Sequence, residues 1–290
     1  VLIVRDGQRT KAARRTEREI FKNDAFDRLR AECKEHGTDF ADVTARVSTI
    51  AGDVTSDGLG LNDADRAILA GCDTVIHSAA AVSFDSPLDS AVEINLLGPS
   101  RIADLCNEMG ITPHLVSVST CYVAGNRRGN APEQLVSDGP FDIGIDWRRE
   151  VTSSRRLRSD ADAASRSTEH LERFRKEART ELGAAGAPAL ASKTEQLREK
   201  WVKDQLIDAG RARAASVGWP DAYAFTKALG EQALTDVKGD VPVSIVRPSI
   251  IESALAEPKP GWIRGFRMAE PVLISYARGL LDEFPGVPEG

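Results

Sequence analysis

The feature that most narrows the fold is an alternation along the chain. Short runs rich in valine and isoleucine, "VLIV" (1–4), "VSTIAGDV" (47–54), "DTVIHSAA" (73–80), "HLVSVST" (114–120) and "VPVSIVRPS" (241–249), are separated by stretches with helical patterning. None of these runs shows the apolar/polar alternation of a strand with one wet face, so both faces are expected to be covered. Between them, "NDAFDRLRAECKEHG" (23–37) and "NDADRAILAG" (62–71) open on an asparagine suited to an N-cap and close on glycine. Residues 88–110 and 220–239 read as two further helices. Strand and helix in turn, with short links, predict an α/β fold: a doubly wound parallel sheet.

Residues about 140 to 218 break this rhythm. They are charged and helix-prone, with "WRREVTSSRRLRSD" and "EHLERFRKEARTEL", an Ala/Gly-rich break "LGAAGAPALA", and then "SKTEQLREKWVKDQLIDAG". So long a segment needs structure of its own, and its periodicity predicts a helical insertion. Pro/Gly-punctuated residues 257–290 contain one amphipathic stretch and read as the start of a small substrate lobe. The expected division is therefore a domain over 1–256, carrying the insertion, and a partial lobe over 257–290.

With 290 residues, 41% of them hydrophobic, the chain can bury a sizeable core. A net charge of −6 argues against a nucleic-acid partner. No apolar run approaches the roughly 20 residues of a membrane span. "VLIVR" is too short for a secretory core and has no basic segment before it. Cys33, Cys72, Cys106 and Cys121 are widely spaced, which suggests neither a zinc site nor a disulfide framework. A reduced, cytoplasmic protein without a metal is expected.

In a doubly wound sheet, ligands bind beyond the carboxyl ends of the strands. Arg5, Asp53 with Val54, His77 with Ala79 and Ala80, Ser119 with Thr120, and Arg247 with Pro248 and Ser249 stand at such ends. Each has a plainer role available: an Asx turn for the aspartate, close helix packing for the alanines, a cap for Ser119 and Thr120. Tyr223 and Lys227 add a different signal. Four residues apart in a helix, they share one face, and an ammonium beside a phenol favours the phenolate. That would lower the tyrosine pKa and suit it to acid–base work. Alone, a Tyr-x-x-x-Lys spacing occurs by chance in many helices.

Taken together, "GDV" (52–54), "HSAA" (77–80), Asn95 in "EINLLG", "SVSTCYVAG" (117–125), "YAFTK" (223–227) and "VRPS" (246–249) resemble the extended short-chain dehydrogenases/reductases, in order and spacing across nearly the whole chain. "STCYV", "GWPDAYAFTKALGE", "IVRPSIIESALAEPKPGWIRG" and "LLDEFPGVPE" are similar to the fatty acyl-CoA reductase branch, with its male-sterility-type NAD(P)-binding domain. The resemblance implies a Rossmann-like fold and an oxidoreductase that uses NADPH to reduce a long-chain acyl-CoA, or another acyl thioester, to aldehyde or primary alcohol. It implies catalytic roles for Thr120 (or Ser119), Tyr223, Lys227 and Asn95, the last holding a water that links Lys227 to solvent. It places Arg5, Asp53, Val54, His77, Ala79, Ala80, Tyr223, Lys227, Pro248 and Ser249 at the cofactor. Arg5 gives NADPH a physical basis, because a guanidinium can meet a ribose 2′-phosphate, although Asp6 lies beside it. The family's first strand and glycine-rich phosphate loop have no counterpart here, so a fragment with weak cofactor affinity of its own is expected. Other expectations stay open: CoA phosphates or an acyl carrier protein at Arg148, Arg149, Arg155, Arg156 and Arg158, against a solvated helix face; and a lid over an acyl chain or a peripheral membrane contact at 262–281, against a buried helix of the substrate lobe. A hydroxysteroid or nucleotide-sugar reductase, or a non-catalytic remnant, are the rival readings.

Overall fold

A computed structural model of the chain describes residues 1–7, 10–139, 144–183, 186–265 and 270–283. Parts of several predicted segments lie outside the described residues: 140–143 in the insertion, 184–185 in its Ala/Gly break, 266–269 in the amphipathic stretch, and 284–290 at the end of "LLDEFPGVPEG". Contacts group the chain into two compact units, Val1–Ala51 with Pro248–Gly290, and Gly52–Arg247. This grouping does not follow the 256/257 division read from the sequence.

In the first unit, β1 (Leu2–Val4) pairs in parallel with β2 (Thr49–Ala51), Ile3 opposite Ile50. Helix α1 (Ala12–Arg15) runs on into a wide turn over Thr16–Phe21, followed by α2 (Asp27–Glu35) and α3 (Phe40–Thr44). Asn23 caps the short turn before α2 by accepting the Ala25 amide at 2.9 Å, as its position predicts. Asp6 accepts from the Ala12 amide and from Lys11, both at 2.8 Å, so it is committed to the start of α1. Arg5, beside it, has an exposed side chain. Pro248 and Ser249 also belong to this unit, and α11 (Glu270–Ala277) closes it.

The second unit holds a three-stranded parallel sheet in the order β3 (Thr74–His77), β4 (His114–Val118), β5 (Val243–Val246). Helix α4 (Asp63–Ala70) precedes β3, and the Asn62 side chain caps it through the Asp65 amide at 2.9 Å. Between β3 and β4 the chain forms α5 (Leu88–Ala91), a wide π turn over Val92–Leu96, and α6 (Leu97–Glu108). The insertion is helical, as predicted: α7 (Trp147–Ser165), α8 (Thr168–Leu182) and α9 (Ala187–Ser216). Helix α10 (Ala222–Val237), capped by Asp221 through the Ala224 amide, then leads into β5.

Parallel register puts Val75, His77, Leu115, Ser117, Val243 and Ile245 on one face of this sheet, where all are buried or half-buried. On the other face, within this unit, Val116 and Val118 are half-buried and Ile76 and Val246 are exposed. The core lies among α5, the π turn and α10, built on Leu88, Val92, Leu96, Phe225, Ala228 and Leu229. Gly230 makes the closest approach possible. A Cβ there would run into the Asn95 carbonyl oxygen and stand 3.3 Å from Leu96 Cα. Gly230→Ala is therefore expected to lower the unfolding free energy by about 2 kcal/mol in a urea titration, because the backbone clash outweighs the better helix propensity. A gain in stability would show that α10 can move off the π turn freely.

Ion pairs fasten the insertion to this core. On α7, Arg155 reaches Glu93 at 2.8 Å, Arg158 reaches Asp89 at 3.1 Å and Arg148 reaches Asp236 at 3.4 Å, while Arg156 pairs within the helix to Asp160 at 3.5 Å. The arginine run is thus neither a purely solvated face nor a free anion receptor. Its spacing matches carboxylates on α5, the π turn and α10, and Arg149 alone of those five guanidinium groups has no ion-pair partner among the described residues.

Candidate active site

Three elements converge at the carboxyl end of β4. The strand continues past Val118 through a hydrogen bond from the Ser119 amide to the Val246 carbonyl at 2.7 Å. Thr120 then caps a short 3-10 turn, Cys121–Ala124, its hydroxyl accepting the Tyr122 amide at 3.2 Å. Ser119 and Thr120 are both buried. The cap predicted as the plain role of Thr120 is real, and the same hydroxyl neighbours Tyr223, from the first turn of α10, closely enough to favour its phenolate.

Lys227 comes from the same helix face and is almost fully buried. Its ammonium donates to the Val118 carbonyl at 2.8 Å, which ties α10 to the end of β4. Burial pulls its pKa down to about 8, against the opposing charge of Glu231 one turn further along. Glu231 is itself buried and held by Arg247, whose Nε is 2.9 Å from Oε1 and whose second nitrogen is 2.5 Å from Oε2. The i, i+4 spacing of Lys227 and Glu231 was there to be read in the sequence, and Glu231 is a residue that sequence reasoning passed over.

The tyrosine departs from expectation in direction. Burial pushes the Tyr223 pKa up, and the Thr120 hydroxyl opposes that only in part. The expected lowering by Lys227 is not realised, because desolvation of the phenol dominates. In this state Tyr223 is a protonated phenol, a donor and not a base.

Asn95 is inside the site but committed. Its amide nitrogen donates to the Ala81 carbonyl at 3.1 Å and to Thr226 Oγ1 at 3.2 Å, and its oxygen accepts the Ala81 amide at 2.8 Å. Both amide protons thus pin the loop after β3 to α10, and one carbonyl lone pair remains for a water. His77, at the end of β3, packs its imidazole over Gly98 of α6. Ser78 and Ala79 behind it are exposed and Ala80 is half-buried. Asp53 takes the plain role: its Oδ1 accepts from the amide and the hydroxyl of Thr55 at 2.9 and 2.8 Å, while the Val54 carbonyl accepts from Arg101 at 3.0 Å. Arg5, Pro248 and Ser249 belong to the first unit.

The family model described as "Male sterility protein", an NAD-binding family, matches residues 1–289. The chain belongs to that family. It is 33% identical to the alcohol-forming fatty acyl-CoA reductase of Simmondsia chinensis, over 97% of this chain and 51% of that protein. It is 31% identical to fatty acyl-CoA reductase 2, chloroplastic, of Arabidopsis thaliana, over 100% of this chain and 43% of the relative. The chain thus spans about half the length of the curated relatives it matches. The solved terminal R domain of the myxalamid PKS-NRPS pathway aligns over 87% of this chain with 17% identity and a TM-score of 0.43, which carries no weight in the assignment.

A nicotinamide cofactor goes with an NAD-binding family, and the residues present suit its reactive end. His77 Nε2 and Ser119 Oγ are buried polar atoms without a hydrogen-bond partner among the described residues, at the carboxyl ends of neighbouring strands. Tyr223 and Lys227 stand beside the second of these ends. Among the described residues, no cluster of His, Cys, Asp and Glu could hold a metal, and no helix is long and apolar enough to cross a membrane.

His77 also makes stability depend on acid. Burial, assisted by the Lys227 charge, lowers its pKa from 6.5 to about 4. The folded state therefore refuses a proton that the unfolded chain accepts, so this stability is complete above pH 6.5 and is lost as pH falls towards 4. About 3 kcal/mol is at stake over that window. Urea midpoints at pH 7 and pH 4.5 should differ more for the native chain than for His77→Leu. Parallel losses in both would remove His77 as the cause.

Proposed function

We propose that the protein uses NADPH to reduce a long-chain fatty acyl-CoA, or another long-chain acyl thioester, to the fatty aldehyde or onward to the primary alcohol. The observation that carries this reading is a buried Lys227, tied to the Val118 carbonyl at the end of β4, next to Thr120 and one helical turn from Tyr223, in a chain whose relatives are named fatty acyl-CoA reductases. A thioester carbonyl placed against these two hydroxyls meets two donors aimed at the oxygen that becomes negative.

When bound, the cofactor supplies the hydride to the carbonyl carbon. Tyr223 transfers its proton to the carbonyl oxygen as that hydride arrives, giving a hemithioacetal. Thr120 steadies the same oxygen and holds the phenol in line. Lys227 provides the positive charge that stabilises the tyrosinate left behind, releasing the Val118 carbonyl or sharing its protons with it. The hemithioacetal then loses its carbon–sulfur bond: the sulfur leaves as thiol, taking a proton, and the hydroxyl oxygen becomes the aldehyde carbonyl. A second cycle at the same residues would carry aldehyde to alcohol. Ser119 and Lys227 would hold the nicotinamide ribose, and His77, Ala79 and Ala80 line the strand end that precedes it. The choice of NADPH over NADH rests on Arg5, whose exposed guanidinium suits a 2′-phosphate.

The test is consumption of NADPH by the complete protein, followed by absorbance, with a long-chain acyl-CoA and, in parallel, a hydroxysteroid and a nucleotide sugar. Consumption with acyl-CoA and not with the others is expected. The reverse pattern removes the acyl thioester reading, and equal use of NADH removes the role of Arg5.

A further inference from the structure

Phe84 stands exposed in the loop between β3 and α5, and its ring meets the Tyr223 ring edge-on, with centroids 6.0 Å apart and planes at 76°. Two ties keep it there. Upstream, Ala81 is held by the paired hydrogen bonds to Asn95. Downstream, Asp85 forms an ion pair with Arg211, near the end of α9. The residue before that arginine, Gly210, is the point where α9 presses on the site. A Cβ at Gly210 would lie 3.3 Å from the Cβ atoms of both Leu88, which opens α5, and Ala222, which immediately precedes Tyr223. One turn of the insertion therefore touches the loop on one side of the tyrosine and the helix start on the other.

We propose that Phe84 is a positioning residue for Tyr223, and that Gly210 and Arg211 of α9 hold both in place, so that the helical insertion acts as a brace for the tyrosine. The inference rests on the reading of Tyr223 as the proton donor. An edge-to-face contact restricts the tyrosine ring while leaving its hydroxyl free to point at Thr120. Proton transfer is steep in position: a displacement of about 1 Å can cost on the order of 100-fold in rate. Phe84 also contributes to the burial that raises the phenol pKa.

The test reads the tyrosine itself as well as turnover. In the complete protein with ring-labelled tyrosine, the Tyr223 Cζ resonance, assigned through Tyr223→Phe, is titrated with pH. Phe84→Ala should shift that resonance and move its titration down towards the ordinary tyrosine value, and kcat with acyl-CoA should fall about tenfold while KM changes by less than about twofold. Phe84→Tyr, which keeps the edge contact, should restore both. Arg211→Ala should shift the resonance in the same direction with about a threefold loss in kcat, the size an exposed ion pair allows. The charge-swapped pair Asp85→Arg with Arg211→Asp should recover it. An unmoved Tyr223 titration in Phe84→Ala, or an Arg211→Ala variant indistinguishable from the parent by both readouts, overturns the proposal. The titration needs no substrate. Shifts in a parent protein that turns over no acyl-CoA would sink the reductase reading alone, and turnover without shifts would sink the brace alone.

Discussion

Tyr223→Phe is expected to lower kcat by about 10²- to 10⁴-fold, the contribution of a positioned general acid, while stability changes by less than about 1 kcal/mol. The substitution removes one oxygen. The ring keeps its edge contact with Phe84, and α10 keeps both its Asp221 cap and its Lys227 tie to the Val118 carbonyl. Thr120 loses the phenol but still accepts the Tyr122 amide. Loss of NADPH consumption with an unchanged urea midpoint separates chemistry from folding. A variant that retains more than about a tenth of the parent rate would show that Tyr223 is not the proton donor, however well the spacing to Lys227 fits.

Arg247→Ala is expected to cost about 3 kcal/mol of stability, which for a unit of this size corresponds to roughly 10 °C in Tm. The side chain of Glu231 is only 3% exposed, and Arg247 holds both of its oxygens while donating also to the Gln134 carbonyl at 2.8 Å. Removing the guanidinium strands a carboxylate in the core. Replacing both partners, as in Glu231→Leu with Arg247→Met, should cost less, because no carboxylate is stranded, the remaining cost being the loss to Lys227 of the Glu231 charge. Equal losses in the single and double variants would show that the pair matters through packing and not through charge.

Much of this was legible in the sequence, and the legible parts share a cause. Strand runs, the Asn23 and Asn62 caps and the insertion's helices are set by residues near one another in the chain, so periodicity and capping chemistry reveal them. Tyr223 and Lys227 were visible because four residues is one helical turn. Their electrostatics were not. Which way the tyrosine titrates depends on its desolvation, and the lysine's ammonium is engaged by the Val118 carbonyl, a backbone atom 109 positions away. Asn95 was visible as a motif residue, but its exchange of hydrogen bonds with Ala81 depends on how the loop after β3 folds back on the π turn. The arginines of α7 illustrate the same limit. Their number left open a bound anion or a solvated face, and only the tertiary positions of Asp89, Glu93 and Asp236 show that the protein itself supplies carboxylates to three of them.

Reductive cleavage of a thioester by this cluster of hydroxyls and lysine should release a thiol. The most direct measurement is free thiol released per NADPH oxidised by the complete protein supplied with a long-chain acyl-CoA. The account predicts thiol appearing in step with NADPH loss, one thiol for every one cofactor if the product is aldehyde and one for every two if it is alcohol, with both signals lost in Tyr223→Phe. NADPH oxidised without thiol release would contradict it.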